Sequence, residues 1–359
     1  MNAAQQTAAL GQSLWLDNLS RSLIHDGVLA RHIAEHAVTG VTSNPSIFQN
    51  ALATSPWYAD DLVRLRTVEP DPERRYEALM IPDIQAACDL LDPVYEKSGG
   101  MDGYVSLEVA PRWAYDAIKT VEEAQRLSGR VNRRNLLVKV PGTPAGVQAF
   151  EALTALGINV NVTLLFSLAQ TQAVFDAYIR GLAARTRAGI DIRRSRAVAS
   201  LFLSRVDTLV DTRLDAIGTQ AALAMQGKAA VAMAKLAYQR YLATFHGAAF
   251  AALRDQGTTP QTLLWASTGV KNPAYRDLLY VEPLIGPETI NTLPDKTLAA
   301  LADHGDAAAR VTEGAAEAQA QFDDLAHLGI DMEQVGETLQ RDGVALFETA
   351  FGKLLQQAA

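Results

Sequence analysis

Lys139 is the residue whose surroundings point most directly to chemistry. It lies in the segment Asn135-Leu-Leu-Val-Lys-Val-Pro-Gly-Thr-Pro-Ala-Gly146, inside an apolar run typical of a β-strand. A lysine is rarely buried without a partner or a function. Burial favours the neutral amine, which can attack a carbonyl carbon and form a Schiff base. The alternative is a lysine at a strand end whose ammonium group reaches back to water, and this segment alone fits both.

Two carboxylates could serve such a lysine as acid and base. Schiff-base formation with a ketone and cleavage of a nearby C–C bond need one group that removes a hydroxyl proton. They also need a group that protonates the hydroxyl leaving the carbinolamine. Asp17 and Glu108 are the candidates, since each lies at the end of an apolar run. Different surroundings could give the two carboxyl groups different pKa values, and therefore different roles.

Further polar residues lie at the ends of other apolar runs and could bind a phosphorylated polyol. Three of them offer hydrogen-bond donors for hydroxyl groups: Asn44, Asn161 and Thr163. Three more could hold a terminal phosphate through charge and hydrogen bonds: Arg205, Ser267 and Lys271. Any one of these residues could instead complete a turn or cap a helix, but together they suggest a site.

The elements that must position these groups alternate between short apolar, β-prone runs and longer helical patterns. This alternation is typical of repeated βα units around a parallel sheet. Eight runs are predicted to be strands: Leu14–Asp17, Val38–Ser43, Tyr104–Val109, Leu136–Val140, Ile158–Thr163, Ala197–Phe202, Thr262–Ser267 and Leu279–Leu284. They favour an α/β fold in which residues 1–359 form a single (β/α)8 TIM barrel with additional helices. In such barrels chemistry collects where the strands end.

Two helical additions to the barrel are expected. The connection over about 49–101 is unusually long and contains amphipathic helical patterns of its own. Asp331–Gln357 is predicted to form two C-terminal helices with a break at Gly343. The sequence fits a monomer and a homodimer equally well.

Composition argues against several classes of partner. The chain has 359 residues and a formal net charge of −8, without a basic stripe that would bind nucleic acid. No run approaches the roughly 20 apolar residues that span a bilayer, and the first ten residues lack the features of a signal peptide. The single cysteine, Cys88, excludes an intramolecular disulfide and fits a reducing cytoplasm. We expect a cytoplasmic enzyme that binds neither nucleic acid nor membrane.

Seven segments form an ordered set of motifs: Asp17, Thr42-Ser-Asn-Pro-Ser46, Ser106-Leu-Glu-Val109, Leu137-Val-Lys-Val-Pro141, Asn159-Val-Asn-Val-Thr-Leu-Leu-Phe-Ser167, Ser200-Leu-Phe-Leu-Ser-Arg205 and Ala266-Ser-Thr-Gly-Val-Lys-Asn-Pro273. As a set, from about residue 13 to the C-terminus, it resembles the motifs of the transaldolase family. The resemblance implies a (β/α)8 barrel that uses neither a metal nor an organic cofactor. It also implies transfer of a dihydroxyacetone group from sedoheptulose 7-phosphate or fructose 6-phosphate to glyceraldehyde 3-phosphate or erythrose 4-phosphate. Such a reaction proceeds through a lysine Schiff base, in the non-oxidative pentose phosphate pathway.

The same resemblance implies roles for individual residues. Lys139 would form the Schiff base, and Asp17 would be the general acid/base in aldol cleavage. Glu108 and Thr163, with a positioned water, would assist the proton transfers of imine formation. The other residues would bind substrate: Asn44 and Asn161 the dihydroxyacetone moiety, Thr42 and Ser200 nearby, Phe202 as a wall, and Arg205, Ser267 and Lys271 the phosphate.

Three positions bear on how far the family pattern applies. Ser267-Thr-Gly-Val-Lys271 stands where many transaldolases have Ser-Phe-Arg, so this loop is longer and ends in lysine. Ala110, which Pro111 follows, stands where many have an aspartate two residues beyond the glutamate. Related fructose-6-phosphate aldolases tend to have tyrosine where this chain has Phe202, which favours group transfer over simple aldol cleavage.

Three other interpretations compete with this one. His32-Ile-Ala-Glu-His36 has the spacing of two zinc ligands on one helix face, but a strand follows at once, which favours a solvated βα connection. A glycosidase on the same barrel would use Asp17 and Glu108 as its carboxylate pair and would not need Lys139. A sugar-phosphate-binding protein would keep the pocket without turnover, although binding alone does not require an amine, an acid and a base.

Overall fold

The computed structural model describes residues 1–359. At its centre eight parallel strands form a closed barrel in chain order, and the first strand also pairs with the last. The strands are β1 Gln12–Leu16, β2 Val38–Thr42, β3 Val105–Glu108, β4 Leu136–Pro141, β5 Val160–Leu165, β6 Ala197–Phe202, β7 Thr262–Ala266 and β8 Thr289–Leu293. The predicted (β/α)8 barrel is therefore confirmed.

Seven of the eight predicted strands are confirmed to within two residues at each end, and the eighth is wrong. Leu279–Leu284 ends in a 3-10 turn over Glu282–Leu284 instead of forming a strand. Pro283 has no N–H for a strand ladder, which argues against a central strand there. The actual β8 is fully buried although three of its five residues are polar. Their side chains make hydrogen bonds to other buried groups, so the polarity is tolerated.

The α-helices in chain order are α1 Ala3–Ala9, α2 Arg21–His25, α3 Val28–His36, α4 Pro45–Thr54, α5 Ala59–Val68, α6 Pro72–Lys97, α7 Ala117–Val131, α8 Pro144–Leu156, α9 Leu168–Arg187, α10 Ser204–Ile217, α11 Gln220–Leu223, α12 Ala229–Phe245, α13 Ala248–Arg254, α14 Asp295–His304, α15 Ala315–His327 and α16 Met332–Ala358. The long connection between β2 and β3 contains α4, α5 and α6. Several βα connections contain more than one helix, so the barrel carries additional helices as predicted.

The C-terminal segment forms one continuous helix, α16, so the predicted break at Gly343 is wrong. A Cβ atom at Gly343 would lie 3.0 Å from Cδ2 of Leu164 in β5. The glycine thus permits a close approach between α16 and the barrel. Tertiary packing of this kind outweighs the lower helix propensity of glycine.

The βα unit that carries Lys139 shows how the sequence sets local structure. All six residues of β4 are buried, as expected for a strand covered on both faces. The side chain of Thr143 caps α8 by accepting from the Gly146 N–H, and Pro144 occupies the first helical turn. Gly157 ends the helix in a left-handed conformation, with φ 82°. Lys139 therefore lies on a rigid element that ends at the barrel mouth.

Strands and helices share a large contiguous hydrophobic core. Cys88 lies buried in this core on α6, where its thiol is a packing group. None of the helices combines the length and the apolar character needed to cross a membrane.

Candidate active site

A cavity of about 170 Å³ opens at the carboxyl-terminal ends of the barrel strands. Ten of the twelve residues predicted for the site line it: Asp17, Thr42, Asn44, Lys139, Thr163, Ser200, Phe202, Arg205, Ser267 and Lys271. The other two do not line it, but each contacts a residue that does: Glu108 contacts Lys139, and Asn161 contacts Ser200. Residues separated by up to 254 positions along the chain, from Asp17 to Lys271, thus meet at one mouth.

Lys139 is 4% exposed, on β4. Its Nζ donates to the carbonyl oxygen of Ser43 at 3.1 Å and lies 3.5 Å from Oε2 of Glu108. The centroid of the Phe347 ring is 5.9 Å from the same nitrogen. The amine is therefore held among protein groups at the cavity. It does not extend into bulk water, as a lysine at a strand end would.

Glu108 is the last residue of β3 and the register partner of Lys139 on β4. Burial raises the pKa of Glu108 to about 7, and the positive charge of Lys139 opposes the rise. A carboxyl group with such a pKa can both donate and accept a proton near neutral pH. Glu108 is therefore suited to proton transfer at the lysine nitrogen.

Asp17 directly follows β1 and lines the cavity itself. Its Oδ1 accepts a hydrogen bond of 2.8 Å from the Thr42 hydroxyl. Burial raises the pKa of Asp17, while the charge of Lys139 and the Thr42 hydrogen bond lower it. Because Asp17 reaches the cavity and Glu108 reaches the amine, the two carboxyl groups are placed for different proton transfers.

Two polar side chains at the wall keep hydrogen-bonding capacity for a ligand. The Thr163 hydroxyl is buried and has no partner in the protein, so it can bind a substrate oxygen or a water molecule. Asn44 caps α4, where its Oδ1 accepts from the Ile47 N–H at 3.0 Å. This bond fixes the amide and leaves its N–H groups to donate to a ligand.

Asn161 is fully buried and does not line the cavity. Its Nδ2 donates to the Ser106 hydroxyl at 3.1 Å, and its Oδ1 accepts from the Ser200 hydroxyl at 2.6 Å. Ser200 itself lines the cavity. Asn161 therefore orients Ser200, and its direct contact with dihydroxyacetone stays a prediction.

Arg205 supplies an uncompensated positive charge at the cavity. It lies in the first turn of α10 and forms no ion pair, and its Cζ is 5.7 Å from the Phe202 ring centroid. Burial lowers the pKa of Arg205, and Asp17 is the one carboxylate that opposes this effect. A guanidinium group without a counter-ion, at a helix N-terminus, suits the binding of a phosphate.

The loop after β7 brings two more predicted residues to the same end. Ser267 has a left-handed backbone, with φ 54°, and its hydroxyl lies 2.9 Å from the Ser204 hydroxyl. Lys271 is exposed and lines the cavity, so the longer loop still reaches the site. The Tyr275 hydroxyl donates to Oδ2 of Asp211 at 2.6 Å and anchors the far end of the loop to α10.

Several residues at the site are not predicted from the sequence, among them Thr292, Phe347 and Gln340. Thr292 lies on β8 and lines the cavity, but it is not among the predicted residues because the eighth strand is predicted in the wrong place. Phe347 lines the cavity from α16. Gln340 on the same helix donates to backbone carbonyls at the ends of β4 and β5, at 2.8 and 3.1 Å. No local pattern marks these two, because α16 reaches the mouth through tertiary packing.

The geometry defines a class of enzyme. A buried lysine flanked by two carboxyl groups can convert a ketone into an imine and draw electrons from a neighbouring C–C bond. An unpaired arginine on the same wall can hold a phosphate. A (β/α)8 barrel with this mouth has the groups that a Schiff-base aldolase or a related transferase requires.

Comparison with known proteins identifies the family. The family model for transaldolase/fructose-6-phosphate aldolase matches residues 14–358. The chain is 68% identical over 357 residues to the transaldolase of Thiobacillus denitrificans, with 99% of each chain covered. It is 50% identical over 355 residues to the transaldolase of Neisseria meningitidis serogroup C, again with 99% of each covered. It is 47% identical over 354 residues to transaldolase 1 of Streptomyces coelicolor, covering 98% of this chain and 93% of that one. The chain belongs to the transaldolase/fructose-6-phosphate aldolase family.

Proposed function

We propose that this chain is a transaldolase of the non-oxidative pentose phosphate pathway. It takes a dihydroxyacetone group from sedoheptulose 7-phosphate or fructose 6-phosphate and transfers it to glyceraldehyde 3-phosphate or erythrose 4-phosphate. The main support is the buried amine of Lys139 in a cavity that unpaired Arg205 also lines. Its full-length relatives named transaldolase support the same reaction. A cytoplasmic location suits a chain whose single cysteine, Cys88, is buried and unpaired.

Binding at the phosphate end orients the substrate. Arg205 and Lys271 neutralise the phosphate, and Ser267 donates a hydrogen bond to it. The ketone carbon then reaches Lys139, while Asn44 donates to the dihydroxyacetone hydroxyls. Phe202 forms an apolar wall beside Arg205.

Imine formation uses the carboxyl group behind Lys139. The amine attacks the C2 carbonyl, and the carbinolamine then loses its hydroxyl as water. Glu108, 3.5 Å from the lysine nitrogen, accepts a proton during the attack and delivers one to the leaving hydroxyl. The unpaired hydroxyl of Thr163 holds the water that relays these protons.

Cleavage and transfer use the carboxylate that faces the cavity. Asp17 removes the proton of the C4 hydroxyl, and the C3–C4 bond breaks with its electron pair moving into the protonated imine. The aldose phosphate leaves, and a three-carbon enamine remains on Lys139. A second aldose phosphate accepts the enamine carbon, and its new hydroxyl takes the proton back from Asp17. Hydrolysis of the imine releases the product ketose.

Incubation with fructose 6-phosphate and erythrose 4-phosphate tests this proposal. A transaldolase forms sedoheptulose 7-phosphate and glyceraldehyde 3-phosphate in equal amounts. An aldolase would form glyceraldehyde 3-phosphate and free dihydroxyacetone without the seven-carbon product. A sugar-phosphate-binding protein would bind both substrates and form no product, and a glycosidase would cleave unphosphorylated glycosides in an Lys139→Arg variant. Any of these last three results would contradict the proposal.

A further inference from the structure

We propose that the amino-terminal mouth of the barrel carries a second site, which binds a compact phosphate-type dianion. A cavity of about 160 Å³ lies there, formed by the segments that precede β3, β4, β6 and β7. Strands of four to six residues separate it from the active site, which is about 13–20 Å along the strands at the usual rise per residue. A ligand in this cavity therefore contacts none of the active-site residues.

Arg196 is the first observation that supports this site. It directly precedes β6, is 8% exposed and lines the cavity. Its guanidinium donates to the carbonyl oxygen of Met101 at 2.7 Å and to the Thr259 hydroxyl at 3.2 Å, and it forms no ion pair. A buried cation with only neutral acceptors is unfavourable unless something compensates its charge. The guanidinium also has further N–H donors for an oxyanion.

Ser195 is the second, independent observation. It is 8% exposed and lines the same cavity, and its buried hydroxyl has no hydrogen-bond partner in the protein. Buried hydroxyl groups are normally satisfied, so an unpaired one at a cavity wall indicates a ligand atom that accepts from it. A phosphate oxygen beside Arg196 would do so.

The remaining charges of the cavity leave a net positive balance. Arg134 and Arg193 already pair with carboxylates, and Glu96, the carboxylate on the cavity wall, is one of those bound by Arg134. Arg194 is exposed, lines the cavity and forms no ion pair. The uncompensated charges are thus those of Arg194 and Arg196, which match the two negative charges of a phosphate group. Inorganic phosphate and a small phosphorylated metabolite share this chemistry.

Calorimetric titration with inorganic phosphate and with pyrophosphate at an ionic strength of about 0.15 M tests the site. Phosphate binding at the active site must first be removed. The starting protein, called the background, is therefore the double variant Arg205→Gln/Lys271→Gln. We expect this protein to retain one binding site per chain. Adding Arg194→Glu should weaken the remaining site by about 10-fold or more, the loss typical of a charge-assisted hydrogen bond.

Arg187→Glu in the same background is the matched control. Arg187 is an exposed arginine on α9 that does not line the cavity, and its replacement makes the same change in net charge. We expect the Kd of this control to stay within about 2-fold of the background, because salt screens distant charges. The site is overturned if the background protein binds no phosphate, or if Arg194→Glu and Arg187→Glu weaken binding equally.

Two further measurements complete the test. Arg196→Gln, with its fold verified by circular dichroism, should also weaken phosphate binding by about 10-fold or more, and unchanged binding would contradict the assignment. Tighter binding of fructose 6-phosphate than of inorganic phosphate would identify a metabolite as the ligand, and equal affinity would identify the phosphate group alone. Arg194→Glu in the otherwise unchanged chain should retain sugar transfer. The site is therefore tested independently of the proposed transaldolase activity.

Discussion

The two carboxyl groups near Lys139 differ in what they contact, and this difference supports the different roles proposed for them. Glu108 lies 3.5 Å from the lysine nitrogen and does not line the cavity, whereas Asp17 lines the cavity beside Thr42. We propose that Glu108 carries out the proton transfers at the lysine nitrogen and at the carbinolamine. We propose that Asp17 carries out the proton transfer at the C4 hydroxyl of the substrate.

Replacing Asp17 by asparagine should separate imine formation from cleavage. The amide keeps the shape of the side chain but removes the base, so kcat should fall by about 100-fold or more. Borohydride treatment with fructose 6-phosphate should still trap an adduct on Lys139, and that adduct should carry all six carbons. Cleavage at the normal rate would show that another group is the base.

Glu108 should make the stability of the protein depend on pH. Burial raises the pKa of Glu108 from its usual value of 4.5 to about 7. Between these values the folded state binds more protons than the unfolded state, so the free energy of unfolding falls as pH rises. The stabilising contribution of the protonated carboxyl group is complete below the unfolded pKa and is lost as pH rises through the folded pKa.

Glu108→Gln cannot ionise and should lose this contribution to the pH dependence. Between pH 4.5 and pH 8, the free energy of unfolding should shift by about 3 kcal/mol in favour of the variant relative to the unchanged protein. Urea unfolding at a series of pH values measures the difference. The same variant should form the imine more slowly, because a proton donor is missing. A difference in stability that stays constant with pH would argue against a raised pKa.

At the scale of elements, α16 closes one side of the active-site mouth. Phe347 presents its ring to the cavity, and Gln340 fixes the helix to the ends of β4 and β5. A helix held over the mouth limits the access of water to the enamine on Lys139. We propose that transfer of the three-carbon unit, rather than its release, depends on this protection.

Gln340→Leu should weaken the attachment of α16 to the ends of β4 and β5. The substitution leaves buried carbonyls without their donor, which costs about 1–3 kcal/mol of stability. We expect a lower Tm and a higher ratio of free dihydroxyacetone to sedoheptulose 7-phosphate. Gln356→Leu, at an exposed position of the same helix, is the matched control and should change neither quantity. An unchanged product ratio in Gln340→Leu would show that α16 does not protect the enamine.

At the scale of the whole molecule, the barrel separates two kinds of anion site. The carboxyl-terminal mouth combines Arg205 with a reactive amine, whereas the amino-terminal mouth places Arg194 and Arg196 near an unpaired hydroxyl. At both mouths of the barrel, residues that are far apart in the sequence lie close together. The same closed sheet that assembles the catalytic groups therefore also assembles the cavity beneath them.

The sequence reveals this architecture where each strand can be recognised by itself. Strand β4 is a continuous apolar run interrupted by Lys139, so both the strand and the unusual lysine can be predicted. Strand β8 cannot be predicted in this way, because the hydroxyl groups of its threonines form hydrogen bonds with distant residues. Thr289 is bonded to Gln12, and Thr292 is bonded to Thr42. Such pairings exist only once the barrel closes, and no short segment encodes them.

The predicted site residues differ from the missed ones in how local their sequence signal is. Polar residues at strand ends share a position that the βα pattern makes visible, which is why ten of the twelve predicted residues line the cavity. Phe347 is an ordinary apolar residue of an amphipathic helix, and only the packing of α16 brings it to the mouth. The helix break predicted at Gly343 is wrong because this glycine permits a close contact with Leu164 and does not end the helix.

The most direct test of the account is reduction with borohydride in the presence of fructose 6-phosphate, followed by mass spectrometry of the peptides. We predict a stable three-carbon adduct on the peptide that contains Lys139. The adduct should be absent from Lys139→Arg and unchanged in Lys353→Arg, which replaces an exposed lysine on α16. An adduct on a different lysine, or full transfer activity without any adduct, would contradict the central role of Lys139.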